Sequence, residues 1–96
     1  MATVVNTATY NGRVIGLIAS TDAVTGDHLN INTIVVSNLG AGVQNCLLVD
    51  DDSFTFFNGD IPIDTTVAIS CPGKGLRVLG VTATLGADIN VFIYLN

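Results

Sequence analysis

The chain holds few side chains that could perform acid-base chemistry. His28 is its single histidine and follows Asp27, a pair that could in principle exchange protons with a substrate. The sequence has no second histidine, and no Gly-x-Ser-x-Gly motif that would present an activated nucleophile. His28 is therefore interpreted as a surface residue at a turn, and we expect no catalytic residue and no enzymatic activity.

Carboxylates form the second candidate for chemistry, since Asp50–Asp52 precede Asp60 and Asp64. Carboxylate oxygens are typical Ca²⁺ ligands, but this spacing does not match an EF-hand loop. Consecutive side chains also point in different directions, which favours a solvated hairpin turn without bound metal. The stretch "PGKG" at 72–75 has glycines and a lysine, but no helix follows, as a phosphate-binding loop requires. We predict a turn there, and no cofactor.

Two cysteines, Cys46 and Cys71, could form a disulfide. In "VQNCLLVD" Cys46 has the opposite phase to Val43, Leu47 and Val49, whereas Cys71 shares the phase of Ile61, Ile63, Val67 and Ile69. If both apolar sets face the core, the two sulfurs point to different sides. The sequence predicts reduced, structural thiols.

Strands are predicted to position all these residues, because apolar residues alternate along the chain and Val, Ile and Thr are abundant. Turn signals at roughly eight- to twelve-residue spacing favour a single all-β domain over residues 1–96, an antiparallel β-sandwich. Eight strands favour a jelly-roll-like topology, with an immunoglobulin-like sandwich as the alternative. Phase changes predict bulges near Asn32 and Thr33 and at Gly80. The predicted strands are 3–9, 13–19, 28–37, 43–49, 53–57, 61–70, 76–84 and 88–95, and the turns between them are 11–12, 25–27, 38–42, 50–52, 58–60, 72–75 and 85–88.

Charge is scarce: 11% of the residues are charged and 49% are hydrophobic, whereas an ordinary domain has roughly 25% charged residues. Too few charged side chains are present to cover a lone small domain, so we infer that other subunits cover part of its surface. The net charge is −5, and Arg13, Lys74 and Arg77 are the only basic residues. No basic stripe is available for nucleic acid. The longest uncharged stretch, 28–49, is too polar for a membrane span, and the N-terminus does not resemble a secretory signal.

The last strand has the clearest pattern in the chain. Ile89, Val91, Ile93 and Leu95 share one face, which predicts a core face and a strand paired on both sides. Phe92 and Tyr94 lie on the opposite face, where a monomer normally has polar groups, and exposed aromatic residues are favoured at interfaces. They are therefore predicted to contact other subunits. The alternative is that residues 1–19 fold across this face within the same chain.

Further aromatic residues extend the predicted interface. Phe54, Phe56 and Phe57 place aromatic rings on both faces of one short strand, so at least one ring is expected to be exposed. Tyr10 ends an N-terminal segment that belongs to the domain or forms an extended arm over residues 1–12, reaching an adjacent subunit. An exposed ring at 53–57 also leaves open a second function, recognition of a glycan.

From Thr33 onward the chain resembles small β-sandwich proteins of tailed-phage virions, of the capsid cement or decoration type and related head or tail appendages. The stretches that carry the resemblance are "TIVVSNLGAGVQNCLLVDDD", "IPIDTTVAISCPGKGLRVL" and "GVTATLGADINVFIYLN". They encode strands and turns and contain no active site. "DDDSFTFFN" and the first thirty residues depart from the pattern of this group.

The resemblance implies a non-enzymatic structural subunit that stabilises a phage head through intersubunit contacts. It further implies a homo-oligomer, such as a trimer, that contacts the major capsid protein or other virion proteins. Its location would be the virion, after synthesis in the host cytoplasm. The alternative implied by the same group is a receptor- or glycan-binding module of a phage fibre or tail.

Overall fold

All regular structure in the described part of the chain, residues 3–71 and 75–96, is β-strand in this computed structural model. The predicted all-β fold is therefore confirmed. No helix in these residues could cross a membrane. The predicted turn at 72–75 lies almost entirely outside the described residues. The nine strands are β1 (Thr3–Val5), β2 (Thr9–Tyr10), β3 (Val14–Leu17), β4 (Ala23–Asn38), β5 (Gln44–Val49), β6 (Thr55–Ile61), β7 (Thr65–Ser70), β8 (Leu76–Leu85) and β9 (Ile89–Leu95).

Strand β4 runs through both layers of the fold. Its first half pairs with β1 and β8, and its second half, from Thr33 to Asn38, pairs with β7 and β9. The strands thus divide into a front sheet, ordered β2-β3-β9-β4-β7, and a back sheet, ordered β1-β4-β8-β5-β6. All pairings are antiparallel, and the two halves of β4 count as two strands of a jelly roll, as predicted.

Two irregularities interrupt β4, and the one between Ile31 and Thr33 marks its passage from the back sheet to the front sheet. The pairing register with β9 shifts between Ile31 and Thr33, where the sequence predicted a bulge. The register with β8 shifts between Val24 and His28, opposite Gly80, whose φ is +70°. Both predicted phase changes are confirmed, because each bulge moves the following side chains to the other side of the strand.

The core lies between the two sheets. Ile15, Leu17, Ile34 and Val36 join it from the front sheet, as do Ile89, Val91 and Ile93 of β9, and Val24, Leu29, Ile31, Cys46, Leu48, Val78 and Val81 join it from the back sheet. Strand β9 pairs with β3 on one side and β4 on the other. The predicted core face and central position of the last strand are therefore confirmed.

The expected inward phase of β5 is wrong. Cys46 and Leu48 are the buried residues of this strand, while Leu47 and Val49 are half-buried and Val43 is exposed. The run Cys-Leu-Leu-Val is apolar in both phases, so alternation alone could not select the inward set. The argument that the two sulfurs point to different sides therefore fails, although both cysteines are free in the structure.

Two predicted turns lie inside strands instead. Residues 25–27 form the bulged part of β4, and residues 58–60 continue β6 up to Ile61. The chain turns at 62–64, which leaves Ile63 exposed rather than in the core. Asn45 explains the extension of β6, because its side-chain amide donates to Asn58, to the Gly59 carbonyl and to Asp60.

The N-terminal segment lies along the edges of the sheets. Thr3–Val5 pairs with β4 in the back sheet, and Thr9–Tyr10 pairs with β3 in the front sheet. Of the predicted arm over residues 1–12, residues 3–5 and 9–10 thus pair with the sheets, and Met1 and Ala2 lie outside the described residues. The alternative that residues 1–19 cover the outer face of β9 is wrong for residues 3–19, because these strands pair side by side with others.

Candidate interaction surface

The outward side of the front sheet, called here the front face, is uncharged. Its composition follows from the strand register, which aligns residues of β3, β9, β4 and β7 in rows across the sheet. Phe92 and Tyr94 of the central strand β9 occupy two adjacent rows. The rows are Gly16, Phe92, Val35 and Ala68, then Val14, Tyr94, Thr33 and Ser70, then Asn90, Ser37 and Thr66.

Phe92 lies on this face with 39% of its surface exposed. Its ring covers Gly16, since a Cβ atom built on Gly16 would lie 3.5 Å from ring atom Cε1 and 2.7 Å from Thr9 Oγ1. Glycine at this position lets the ring approach the backbone of β3. The other face of the ring is open to a partner.

Tyr94 is 44% exposed and stands between Val14 and Thr33 in the same face. Val14 and Thr33, the residues paired with it, are uncharged, and its hydroxyl has no hydrogen-bond partner within residues 3–71 and 75–96. A buried tyrosine hydroxyl usually finds such a partner. The ring edge and the hydroxyl are thus both available to another molecule.

The other four aromatic residues predicted at an interface do not join this face. Tyr10 pairs with Ile15 and packs partly against the core, and Phe56 and Phe57 also pack against it from the back sheet. Phe54 is 55% exposed in the hairpin between β5 and β6. The structure therefore brings together Phe92 and Tyr94 and leaves Phe54 as a separate exposed ring.

Further exposed apolar residues were not predicted from the sequence. Leu39, Val43 and Ile63 are exposed in the connections β4–β5 and β6–β7, and Ile18 is exposed after β3. The buried side chain of Asn38 joins two of these connections, because its amide donates to the carbonyls of Gly42 and Ile61. The sequence contains one indication of these exposed residues. Leu39 is apolar, although it lies in the glycine-rich turn 38–42 and turn residues are normally polar.

The candidate catalytic and metal-binding groups are dispersed or occupied. His28 is exposed on β4. Asp50 accepts hydrogen bonds from the N–H groups of Asp52 and Phe54, and Asp51 accepts one from Gly26 at 2.9 Å. Among the described residues, no three His, Cys, Asp or Glu side chains come together as metal ligands, and these residues form no pocket.

Burial determines the reactivity of Cys46. Cys46 is fully buried in the core, and the loss of solvation raises the pKa of its thiol to about 12. Cys71 is half-buried at the end of β7. Because the thiolate is the reactive form, Cys46 remains protonated and inert at neutral pH.

No protein-family model and no curated protein matches the chain. Among solved structures, it is similar to a fucose-binding module of Streptococcus pneumoniae, with 16% identity, a TM-score of 0.41, and coverage of 86% of this chain and 71% of that one. It is also similar to procruciferin, an 11S globulin from Brassica napus, with 14% identity and a TM-score of 0.33. That match covers 86% of this chain and 21% of the globulin. Both TM-scores lie below 0.5, so neither likeness bears on function.

Proposed function

We propose that this chain is a non-catalytic structural subunit that acts by burying its front face against other subunits. The observation that carries the proposal is the uncharged front face with two exposed aromatic rings at its centre. A central strand of a sandwich sheet is the least mobile part of such a fold. Rings held there are preorganised, so their burial costs little conformational entropy.

Burial of this face would contribute to the free energy of association. Burying the exposed part of either ring contributes roughly 2 kcal/mol at about 25 cal/mol per Å². Val35, Val14 and Ala68 surround the rings, so a partner would cover a continuous area rather than two isolated side chains. The aligned rows of the front face contain no charged residue, so they bring no like charges together when copies meet.

The resemblance of residues 33–96 to small virion proteins supports a more specific role. We propose a capsid cement or decoration protein of a tailed phage, assembled as a homo-oligomer such as a trimer and bound to the major capsid protein in the virion. Such a protein stabilises a shell by contact alone. Capsid or portal genes beside its own gene would support this role, and a metabolic operon would count against it.

The substitution Tyr94→Asp tests the front face. It places a carboxylate in the centre of the surface, where burial without a partner is costly. We expect light scattering to show a multimer for the native chain and a smaller species for the variant. Thr84→Asp is the matched control, because Thr84 is an exposed residue of central strand β8 in the back sheet and adds the same charge. A Tyr94→Asp variant that keeps the native mass would contradict the proposal.

Phe54 supports a second candidate function, a glycan-binding module. Its ring is 55% exposed, and its backbone N–H donates to the Asp50 carboxylate at 2.8 Å. Sugar sites combine an aromatic ring with polar groups. A glycan array would show binding that Phe54→Ala abolishes. An array without binding by the native chain would rule against this function.

A further inference from the structure

Strand β7 is a long edge strand without the usual protection against pairing. Within the described residues it pairs with β4 alone, in an unbroken register from Thr65 to Ser70. Its sequence, "TTVAIS", has no charged residue and no proline, the features that normally blunt an edge.

The other edge strands are shorter or less regular templates for pairing with another strand. β2 has two residues and β1 has three. β6 contains Gly59 and Asp60, and its register with β5 shifts between Leu48 and Val49. Among the described strands, β7 is thus the one that presents a straight template for another strand.

The free hydrogen-bonding groups of β7 follow from one observed bond. The Cys71 N–H donates to the Asn32 carbonyl of β4 at 2.8 Å. Because backbone groups alternate sides along a strand, those of Ile69 and Val67 also point toward β4. The N–H and C=O groups of Thr66, Ala68 and Ser70 therefore point to the outer edge.

We propose that two copies of this chain pair β7 against β7, antiparallel, about a two-fold axis at Ala68. In this register the Ala68 residues exchange both backbone hydrogen bonds, and Thr66 does the same with Ser70 of the second copy. Val67 then lies beside Ile69 of the second copy. On the front face, Thr66 meets Ser70 on either side of the Ala68 pair, and on the core side Val67 meets Ile69.

The burial of β7 agrees with this partner. Val67 and Ile69 face inward but are half-buried, because the core is incompletely covered at this edge. The same two residues of a second copy would cover them. This pairing goes beyond the proposed function, since it uses the edge of the front sheet rather than its face.

Cysteine cross-linking tests both the pairing and its register. In a Cys71→Ser background, Ala68→Cys places two thiols on the axis, with Cα atoms about 5.5 Å apart, within the range that a disulfide spans. Thr66→Cys is the matched control, because residues 66 of the two copies lie about 13 Å apart along the strands. After oxidation with diamide, we expect roughly tenfold more covalent dimer from Ala68→Cys than from Thr66→Cys. Equal yields, or no dimer from Ala68→Cys, would overturn the proposal.

A charge design gives a second readout that does not depend on thiols. Thr66 and Ser70 are both exposed, so substitutions there leave the core intact. Thr66→Lys with Ser70→Glu sets opposite charges side by side across the proposed pair, and Thr66→Lys with Ser70→Lys sets like charges there. We expect dimers from the first variant and their loss in the second. The same mass for both variants contradicts the pairing, whereas the front-face proposal is tested separately by Tyr94→Asp.

Discussion

Asp22 joins three parts of the chain through a single buried carboxylate. Its oxygens accept hydrogen bonds from the Thr7 N–H at 2.9 Å and from the N–H groups of Ile18 and Ala19 at 3.0 and 3.1 Å. The Thr7 hydroxyl lies within 2.8 Å of both oxygens. Burial alone would raise the pKa of Asp22, but the hydrogen bonds from Thr7, Ile18 and Ala19 together outweigh it and lower this pKa.

A depressed pKa makes Asp22 a source of stability at neutral pH. Its contribution is present above the unfolded-state pKa of about 3.9 and is lost as the pH falls through the lower folded-state pKa. Asp22→Asn places an amide among backbone donors and should cost about 3 kcal/mol at pH 7. Urea denaturation should show that the difference from the native chain shrinks as the pH falls below about 4.

The control for this prediction is Asp52→Asn. The Asp52 carboxylate is exposed and accepts no hydrogen bond from the described residues. This substitution should change the free energy of unfolding by less than about 0.5 kcal/mol. An Asp22→Asn difference that stays constant across this pH range would contradict the role of the charged carboxylate.

At the scale of single elements, the bulge of β4 opposite Gly80 brings Asp51 into contact with two glycines. Asp51 accepts the Gly26 N–H, its own N–H donates to the Leu79 carbonyl at 2.7 Å, and a Cβ on Gly80 would lie 2.6 Å from its Oδ1. Gly26 and Gly80 have φ values of +84° and +70°. The bulge therefore requires a left-handed backbone conformation at Gly26 and Gly80. At Gly80 it also leaves no room for a side chain beside Asp51.

Gly80→Ala should be destabilising for two separable reasons. The left-handed conformation costs an alanine roughly 1 kcal/mol, and the methyl group would displace Asp51 at a similar further cost. In an Asp51→Ala background, Gly80→Ala should lose that second part, which a double-mutant cycle by urea denaturation measures. Gly12→Ala is the control, because Gly12 has a φ of +89° and nothing within 4 Å of its Cβ position. Additive effects at 51 and 80 would refute the contact.

Elements with one unambiguous pattern could be predicted from the sequence, and ambiguous ones could not. β9 alternates strictly, so its core face, its central position and the outward direction of Phe92 and Tyr94 followed from it. β5 is apolar in both phases, so its inward face depends on the strands beside it. Gly26 signals a positive φ, but a turn and a bulge both require that conformation, and only the pairing of β4 with β8 distinguishes them.

The candidate surface was predictable only in part for the same reason. Alternation in β9 gave its two aromatic residues, but Val14, Val35 and Ala68 join them through the strand order of the front sheet. Strand order is set by contacts between residues that are distant in sequence. The alternation of apolar residues along the chain carries no information about these contacts. The free edge of β7 likewise becomes apparent only once β4 is known to be its neighbour.

At the scale of the whole molecule, the front face and the β7 edge are separate self-contacts, and a subunit with two such contacts can extend an assembly instead of closing it.

We expect native mass spectrometry to show larger assemblies for the native chain than for either kind of variant. Tyr94→Asp should leave dimers joined through β7. Thr66→Lys with Ser70→Lys should weaken both contacts, because these residues belong to the edge pairing and to the front face, and the triple variant should be monomeric. Neither contact pairs charged residues, and each copy has a net charge of −5, so salt screens the repulsion between copies. The native assemblies should therefore not dissociate between about 0.1 M and about 1 M salt, where the Debye length falls from about 10 Å to about 3 Å. A triple variant that still assembles would require a further contact, and the exposed residues Leu39, Val43 and Ile63 would then be the next to replace.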